Sequence, residues 1–348
     1  MSHTIRLRIP DDAHLHLRDG AALAYTVPAS ANTFARVVVM PNLGKPVTTV
    51  AEALAYRARI LAEVPRGSDF DPLMALYLTE RMNAEEIRRA ADSPKVLACK
   101  LYPHGATTNS DSGVEDLETL FPVFEAMQRF DLPLLVHGEA TDVTVDIFDR
   151  EKAFIDRSLE PISDRFPDLR IVFEHVTTAD AVQFVEQARP GIAATITPQH
   201  LLMNRNDLFE NGLQPHNYCL PVLKRQTHQL ALRKAVQSGS SKFFLGTDSA
   251  PHARLTKERS CGCAGCYSAP AALPLYAQVF DELGALDHLN AFASQHAASF
   301  YGWALNAGEI QLKRESWTVP ASLPFADEDT IVPFWADREL RWQISSNK

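Results

Sequence analysis

The stretch His14-Leu15-His16-Leu17-Arg18-Asp19 lies near the amino terminus, just after a short apolar run formed by Ile5, Leu7 and Ile9. Side chains two apart in an extended strand point to the same face, so His14 and His16 project together, with Arg18 in the same register. Histidine is the commonest protein ligand of transition metals, and two imidazoles on one face suit one ion. The alternative is a strand end with two exposed histidines. The sequence that follows favours the metal.

Short apolar, β-branched runs recur along the chain, each followed by a polar turn and a helical pattern. Their near-continuous hydrophobicity is typical of a parallel sheet buried on both faces. With the His-x-His segment they make eight strands, the other seven being residues 37–40, 73–78, 96–101, 132–137, 171–175, 192–195 and 243–246. Helical patterns lie between them, at residues 48–63, 83–91, 114–130, 146–166, 178–189 and 223–238.

Eight strand-then-helix units predict an α/β fold, a (β/α)8 TIM-type barrel. A doubly wound sheet is the alternative, but no Gly-rich dinucleotide turn follows the first strand. We expect a single domain over residues 1–348. Residues 311–348, rich in Pro and Trp, are expected to form a C-terminal extension that packs on the barrel or serves as an oligomer contact.

The composition excludes several classes of protein. The chain has 348 residues, 46% of them hydrophobic, which is enough for a large core. A net charge of −9 argues against a general nucleic-acid binder, because no basic stripe is available to neutralise phosphates. There is no apolar run of ~20 residues for a membrane span, and the first residues lack the apolar segment typical of a signal sequence. Five cysteines fit a reducing compartment, so we expect a cytoplasmic protein.

Polar residues fall where several predicted strands end. His137 ends the fifth strand, His175 the sixth and Asp248 the eighth, and Lys100 lies near the end of the fourth. In a barrel of this kind the carboxyl ends of the strands converge on one face, where catalytic residues are found. A lone histidine at a strand end is usually structural, but this combination predicts a shared site.

Lys100 is the unusual member of this set, because an ammonium group has no lone pair and would repel a metal ion. A desolvated lysine shifts its pKa readily, and the neutral amine can capture carbon dioxide as a carbamate. A carbamate is a two-oxygen anion able to bridge two ions. The alternatives are a lysine paired with a nearby carboxylate, or one that binds the substrate directly.

Several motifs of the chain resemble those of dihydroorotases of the shorter bacterial type, in the amidohydrolase superfamily. The resemblance runs from about residue 5 to about residue 310, with no departure at a ligand position. The motifs are Asp12–Asp19, Met40-Pro41-Asn42-Leu43, Cys99–Pro103, Val136-His137-Gly138-Glu139, Phe173-Glu174-His175, Ala194–Leu201, Gly246–His252 and Gly262–Cys266.

The resemblance implies two zinc ions bridged by a carboxylated Lys100 (N6-carboxylysine) and by a hydroxide. One zinc would be bound by His14, His16 and Asp248, and the other by His137 and His175. Asp248 would also be the general base and acid, taking the hydroxide proton and returning it to the leaving amide nitrogen. The implied reaction is the reversible conversion of (S)-dihydroorotate and N-carbamoyl-L-aspartate in de novo pyrimidine (UMP) biosynthesis. Family habit implies a homodimer.

The implied substrate is a cyclic amide that carries a carboxylate. Arg18 suits a bidentate carboxylate contact, and the family pattern adds Asn42 and His252. Backbone groups of Leu220 and Ala264 would bond the ring, and the ligands His16 and His137 also line the substrate site. The alternative for Arg18 is an ion pair with Asp19 or Asp12.

A polar, Gly-bounded segment at residues 104–113 is expected to be a lid, in which the resemblance implies that Thr107 and Thr108 reach the substrate. An ordinary surface loop is the alternative. Cys261, Cys263 and Cys266 imitate a structural zinc site, which Cys219 would complete, but three cysteines without a second pair are a weak signal. The resemblance implies a loop near the substrate and no third zinc.

Two other functions compete with this interpretation. Another binuclear amidohydrolase, acting on hydantoins, dihydropyrimidines or phosphotriesters, would not need the carboxylate contact of Arg18, Asn42 and His252. A non-catalytic assembly subunit would be expected to have lost ligands, whereas all six are present.

Overall fold

The computed structural model describes residues 4–260, 262–326 and 329–345. Eight parallel strands form one sheet in which each strand pairs with the next along the chain. They are β2 (Asp11–Leu15), β3 (Arg36–Val39), β4 (Asp71–Tyr77), β5 (Val96–Leu101), β6 (Leu134–Val136), β7 (Ile171–Phe173), β8 (Ile192–Ile196) and β9 (Phe243–Leu245).

The sheet closes on itself where the last strand meets the first. Leu15 forms a parallel bridge with Ser249, and the amide of Asp248 donates to the carbonyl of His14 at 2.9 Å. The predicted (β/α)8 barrel is therefore confirmed, and the doubly wound alternative is wrong.

Helices connect the strands on the outside of the barrel. Threonine and asparagine side chains cap several of them, as at Thr49, Asn83 and Thr178, where each accepts a backbone N–H of the first turn. The helices are α1 (Leu23–Ala31), α2 (Val50–Ala62), α3 (Ala84–Asp92), α4 (Phe121–Arg129), α5 (Arg150–Phe154), α6 (Glu160–Arg165), α7 (Ala179–Gln187), α8 (Pro198–Leu202), α9 (Gln226–Gln237), α10 (Arg254–Lys257), α11 (Ala272–Glu282), α12 (Leu286–Ser294) and α13 (His296–Tyr301).

Some predicted helix limits were too wide. The pattern from 114 begins as a 3-10 turn at Leu117–Leu120 before α4, and the pattern from 146 contains a π-helical turn at Ile155–Leu159 between α5 and α6. Polar residues such as Asp116 at the actual helix entry cap the first turn instead of continuing a helix. Among the described residues, no helix is long and apolar enough to cross a membrane.

The core has two layers. Small and branched side chains fill the inside of the barrel, among them Ala13, Val38, Ala98 and Val172, and Tyr301 of α13 packs against this layer. A larger layer lies between the strands and the helices. Because the interior is filled, the barrel offers its chemistry only at its rim.

The apolar run before His14 forms a separate strand, β1 (Thr4–Arg8), instead of leading into β2. It pairs antiparallel with β10 (Glu309–Thr318), which pairs in turn with β13 (Glu339–Ile344). A small hairpin joins β11 (Leu323–Pro324) and β12 (Thr330–Ile331). Leu312 and Trp342 of this sheet are fully buried in the outer core layer. The two ends of the chain therefore share one sheet.

Candidate functional site

Six side chains of the predicted metal site converge at the carboxyl end of the barrel strands. Five of them are at most 5% exposed, and they lie at or just beyond the ends of β2, β5, β6, β7 and β9. They are His14, Lys100, His137, His175 and Asp248, with His16 beside them. Residues separated by more than two hundred positions thus meet at one rim.

One cluster joins His14, His16 and Asp248. Nε2 of His14 and Nε2 of His16 are 3.4 Å apart, and they lie 3.3 and 3.1 Å from Oδ1 of Asp248. Burial raises the pKa of Asp248, but hydrogen bonds from the two histidines outweigh it and hold the pKa well below its usual value. Burial lowers the pKa of His16 to about 4, so this imidazole is neutral at pH 7. A neutral imidazole beside an ionised carboxylate is the donor set that zinc takes.

A second group of imidazoles continues from the first. The ring of His175 has its centroid 4.9 Å from that of His14 and 4.7 Å from that of His137. Burial, and then the charge of Lys100, lowers the pKa of His175 well below its usual value. His175 and Asp248 both adopt positive φ angles, 42° and 45°, which are uncommon outside glycine and often mark functional sites.

Two buried glutamates hold members of this site. Glu174 accepts a hydrogen bond from Lys100, and its Oε1 lies 2.9 Å from Nδ1 of His14. Oε2 of Glu139 lies 2.7 Å from Nε2 of His137. Carboxylates in such positions fix the orientation of a metal-binding imidazole, leaving the other ring nitrogen for the ion.

Glu139 and Glu174 are site residues that the strand-end pattern did not predict. A signal for them existed, since each lies within two residues of a strand-end histidine. In the structure the Lys100 ammonium has a carboxylate partner, Glu174, which is one of the alternatives that the sequence left open. Burial lowers the pKa of Lys100 although Glu174 opposes this. Burial also lowers the pKa of His14, but Glu174 and Asp248 outweigh it and raise that pKa to about 8.

The first and last barrel strands are tied together directly beneath the histidines. The carboxylate of Asp12 accepts from the amide and the hydroxyl of Thr247, at 2.9 and 2.6 Å, and from the amide of His14 at 3.1 Å. Gly246 allows this close approach, because a Cβ there would lie 2.7 Å from Cβ of Thr195 and 3.2 Å from Cβ of His14. The junction fixes His14 relative to Asp248.

Arg18 faces the predicted substrate side and forms neither of the ion pairs suggested as its alternative. Its guanidinium lies 2.8 Å from Nε2 of His252 and donates to the carbonyl of Pro251 at 3.0 Å. Asp19 instead pairs with Arg59 through two hydrogen bonds, and Asp12 is engaged with Thr247. Burial, and then the charge of Arg18, lowers the pKa of His252 to about 2. A neutral imidazole therefore lies beside a half-buried cation.

The predicted lid segment contacts the other predicted substrate residues. Asn42 donates to the carbonyl of Thr108 at 3.0 Å, and the hydroxyl of Thr108 lies 3.4 Å from the carbonyl of Ala264. Thr107 lies next to this contact, its amide donating to Ser110. Leu220 lies one residue before Pro221, whose carbonyl is 2.9 Å from Nε2 of His200. The segments of Asn42, Thr108 and Ala264 thus meet, while mobility of the lid stays a prediction.

The cysteines lie beside this region. Cys219 and Cys266 are buried, and Cys263 is half-buried. Cys261 lies outside the described residues. In the part of the chain that the structure describes, the groups able to hold a metal contain no cysteine: they are His14 with His16 and Asp248, and His14 with Glu174 and His175.

The residues present fit metal binding. Nδ1 of His175 and Oε1 of Glu139 are buried and have no hydrogen-bond partner among the described residues, which is costly unless another group binds there. Three potential ligand atoms in each of the two groups lie within 4.8 Å of one another. Buried imidazoles and carboxylates at this spacing can bind a metal ion.

Comparison with known proteins agrees with the fold. The model of the amidohydrolase family matches residues 9–336. A curated dihydroorotase from Hahella chejuensis is 59% identical over 334 residues, which is 96% of each chain. The chain therefore belongs to the amidohydrolase family, and within it to the dihydroorotases, hydrolases that act on a cyclic amide.

Two solved structures are similar over almost the whole chain. Dihydroorotase from Campylobacter jejuni has 35% identity and a TM-score of 0.90, covering 99% of this chain and 98% of its own. Dihydroorotase from Saccharomyces cerevisiae, solved in complex with 5-fluoroorotic acid, has 32% identity and a TM-score of 0.91, covering 98% of both chains.

Proposed function

We propose that this protein interconverts (S)-dihydroorotate and N-carbamoyl-L-aspartate in pyrimidine biosynthesis, using two zinc ions and a carboxylated Lys100. The observation that carries the proposal is the convergence of His14, His16 and Asp248 with His175 and Lys100 at one buried rim. The similarity of the whole chain to dihydroorotases supports the same reaction.

The metal roles follow the arrangement that the family resemblance implies. His14, His16 and Asp248 would hold one ion and His137 and His175 the other, with carboxylated Lys100 as a further ligand. Burial lowers the pKa of Lys100, which favours the neutral amine that carbamate formation needs. When bound, the two ions would act as Lewis acids that polarise the amide carbonyl, and they would lower the pKa of the attacking water toward ~7.

Asp248 moves the proton. Its carboxylate is ionised at neutral pH because of the hydrogen bonds from His14 and His16, so Oδ1 is able to accept a proton from the attacking water. It then delivers that proton to the ring nitrogen as the amide bond breaks, and the reverse transfer serves ring closure.

The carboxylate of the substrate binds to Arg18, Asn42 and His252. Arg18 supplies the positive charge, and His252 is held against it, 2.8 Å away. Backbone groups of Leu220 and Ala264 bond the ring, His16 and His137 line the site, and Thr107 and Thr108 cover it. The 5-fluoroorotic acid named with the yeast relative is a ring acid of the same kind.

The first test is substrate choice. The purified protein is expected to turn over dihydroorotate and not dihydrouracil, which has the same ring without the carboxylate. Arg18→Met should raise the KM for dihydroorotate by ~10-fold to ~100-fold, the cost of losing a charged hydrogen bond. The reverse preference, for dihydrouracil, would favour another cyclic amidohydrolase.

The second test is the position of equilibrium. Ring opening creates a second carboxylate with a pKa of ~4, so hydrolysis releases a proton near neutrality. The ratio of N-carbamoyl-aspartate to dihydroorotate should therefore rise about tenfold for each pH unit above that pKa. A ratio that is flat from about pH 6 to 8 would contradict the assigned reaction.

We also propose a cytoplasmic homodimer. The support is the family resemblance together with the reducing environment that the cysteine content fits. Sedimentation equilibrium of the purified protein tests the oligomeric state, and a monomer at micromolar concentration would contradict it.

A further inference from the structure

Lys257, at the end of the short helix α10, is a buried lysine outside the predicted metal site. It is 4% exposed, and its ammonium donates to three backbone carbonyls. These belong to Tyr218 at 3.1 Å, Cys263 at 3.0 Å and Gly265 at 2.6 Å. One cation therefore links two chain segments that are more than forty positions apart in sequence.

These two segments are the ones that carry Leu220 and Ala264. The peptide between Cys263 and Ala264 is planar, so fixing the Cys263 carbonyl also fixes the Ala264 N–H, which points the opposite way. In the same way, the contact to the Gly265 carbonyl fixes the peptide between Gly265 and Cys266. On the other segment, Tyr218 lies two residues before Leu220.

Other contacts make this junction tight. The amide of Gly265 donates to the Tyr218 carbonyl at 2.9 Å, so that oxygen accepts from both Gly265 and Lys257. Gly265 has a φ of 150°, and a Cβ there would lie 2.7 Å from the carbonyl oxygen of Ala250 and 3.0 Å from the ring of His252. A shift of the Ala264 segment would therefore disturb His252 as well.

We propose that Lys257 is a positioning residue for substrate binding: its ammonium clamps the Leu220 and Ala264 segments in the spacing that the substrate ring requires. The inference rests on the proposed function, because it takes Leu220 and Ala264 to be ring contacts. Among the described residues, the hydrogen bonds of Lys257 go to backbone carbonyls and to none of the six side chains of the metal site. Its removal should therefore leave the metal in place.

The chain offers a matched control at the other end of the barrel. Lys242, just before β9, also donates to three carbonyls, those of Val185, Ala188 and Arg189. These belong to the end of α7 and the loop that follows, away from the catalytic rim. Lys242→Met removes the same kind of clamp without touching the substrate segments.

The experiment compares Lys257→Met with Lys242→Met in the zinc-loaded full chain. For Lys257→Met we expect the KM for dihydroorotate and the Kd for 5-fluoroorotic acid, measured by calorimetry, to rise about tenfold, the effect of one well-placed hydrogen bond. Its zinc content should stay at the wild-type level, and kcat should change less than KM. For Lys242→Met, KM and Kd should stay within about twofold of wild type.

Equal KM and Kd values in the two variants would overturn the inference, as would a loss of zinc from Lys257→Met alone. If Lys257→Met does not fold, Lys257→Gln, which keeps a hydrogen-bond donor without the charge, decides by the same comparison. Turnover of dihydroorotate by the wild-type protein is measured in parallel. Its absence would refute the proposed function, whereas normal wild-type turnover with an unchanged KM in the Lys257 variants would refute only the role of Lys257.

Discussion

Strand β5 has a lysine near each end, and the two have different surroundings. Lys95, just before the amino end, is 35% exposed and pairs with Asp71, which also pairs with Arg57. Lys100, near the carboxyl end, is fully buried and contacts Glu174 among four histidines and Asp248. Charges at the amino rim are neutralised in ion pairs, and this stabilises the fold. Charges at the carboxyl rim are buried together, in the candidate metal site.

The largest expected effect comes from replacing each of these two lysines with alanine in a separate variant. Lys100→Ala should lose metal and lower turnover by several orders of magnitude, because the site loses the bridging anion. Small carboxylic acids should partly restore both by filling the gap. Lys95→Ala, at the other end of the same strand, should keep its metal content and turnover. Metal analysis and steady-state assays decide, and unchanged metal content in Lys100→Ala would refute the bridge.

The next effect concerns proton transfer at the carboxyl rim. Asp248→Asn keeps the size of the side chain but removes the base, so turnover should fall roughly 10²- to 10⁴-fold in both directions. Initial rates of ring opening and ring closure measure it, with circular dichroism as the control for folding. Near-normal rates would remove Asp248 from this role.

At the amino rim, removal of a charged side chain should lower the stability of the fold and leave turnover unchanged. Arg36 makes two hydrogen bonds to the buried carboxylate of Asp11, each 3.0 Å long. Arg36→Met leaves that carboxylate without its cation and should lower the free energy of unfolding by about 3 kcal/mol. Urea unfolding measures the loss, with kcat expected unchanged.

An exposed pair gives the control for that prediction. Arg88 pairs with Glu85 and Asp92 on the surface of α3, so Arg88→Met should cost less than ~1 kcal/mol. A loss of catalysis in Arg36→Met, or equal destabilisation by the two changes, would break the contrast between the two rims.

The smallest effect is a pH dependence at the amino rim. Burial raises the pKa of Asp71, but the ion pairs with Lys95 and Arg57 outweigh it and lower that pKa below its ordinary value. A carboxyl with a depressed folded pKa stabilises the fold above its unfolded pKa of ~3.9, and this contribution is lost as the pH falls toward the folded value. Between about pH 5 and 3, the free energy of unfolding of Asp71→Asn should therefore fall less than that of wild type. Chemical unfolding at each pH measures it. Parallel curves would exclude this contribution.

Much of the fold was predictable because the information is local. Apart from β2, the barrel strands appear as short apolar runs, and a helix cap such as Asn83 before α3 acts on a residue three positions away. The ends of the chain were not predictable in this way. Ile5 and Leu7 pair with Leu312 and Ile310, about three hundred residues away, and no periodicity within a strand identifies so distant a partner.

The candidate site was likewise predictable in part, where the information is local. The residue types at the strand ends and the rule that parallel strands end on one rim were enough to bring His14, His137, His175 and Asp248 together. The partner of each charge was not, since no local pattern connects Lys100 with Glu174 or Asp19 with Arg59.

The sequence by itself determined which strand ends carry the candidate metal-binding groups, because strand period and strand direction are properties of local chain geometry. Only the tertiary structure decided that Glu174 joins Lys100 to His14 and that Lys257 joins the Leu220 and Ala264 segments. Hydrogen bonds and ion pairs of this kind depend on distances of a few ångströms between residues far apart in the chain, and packing of the whole barrel sets those distances.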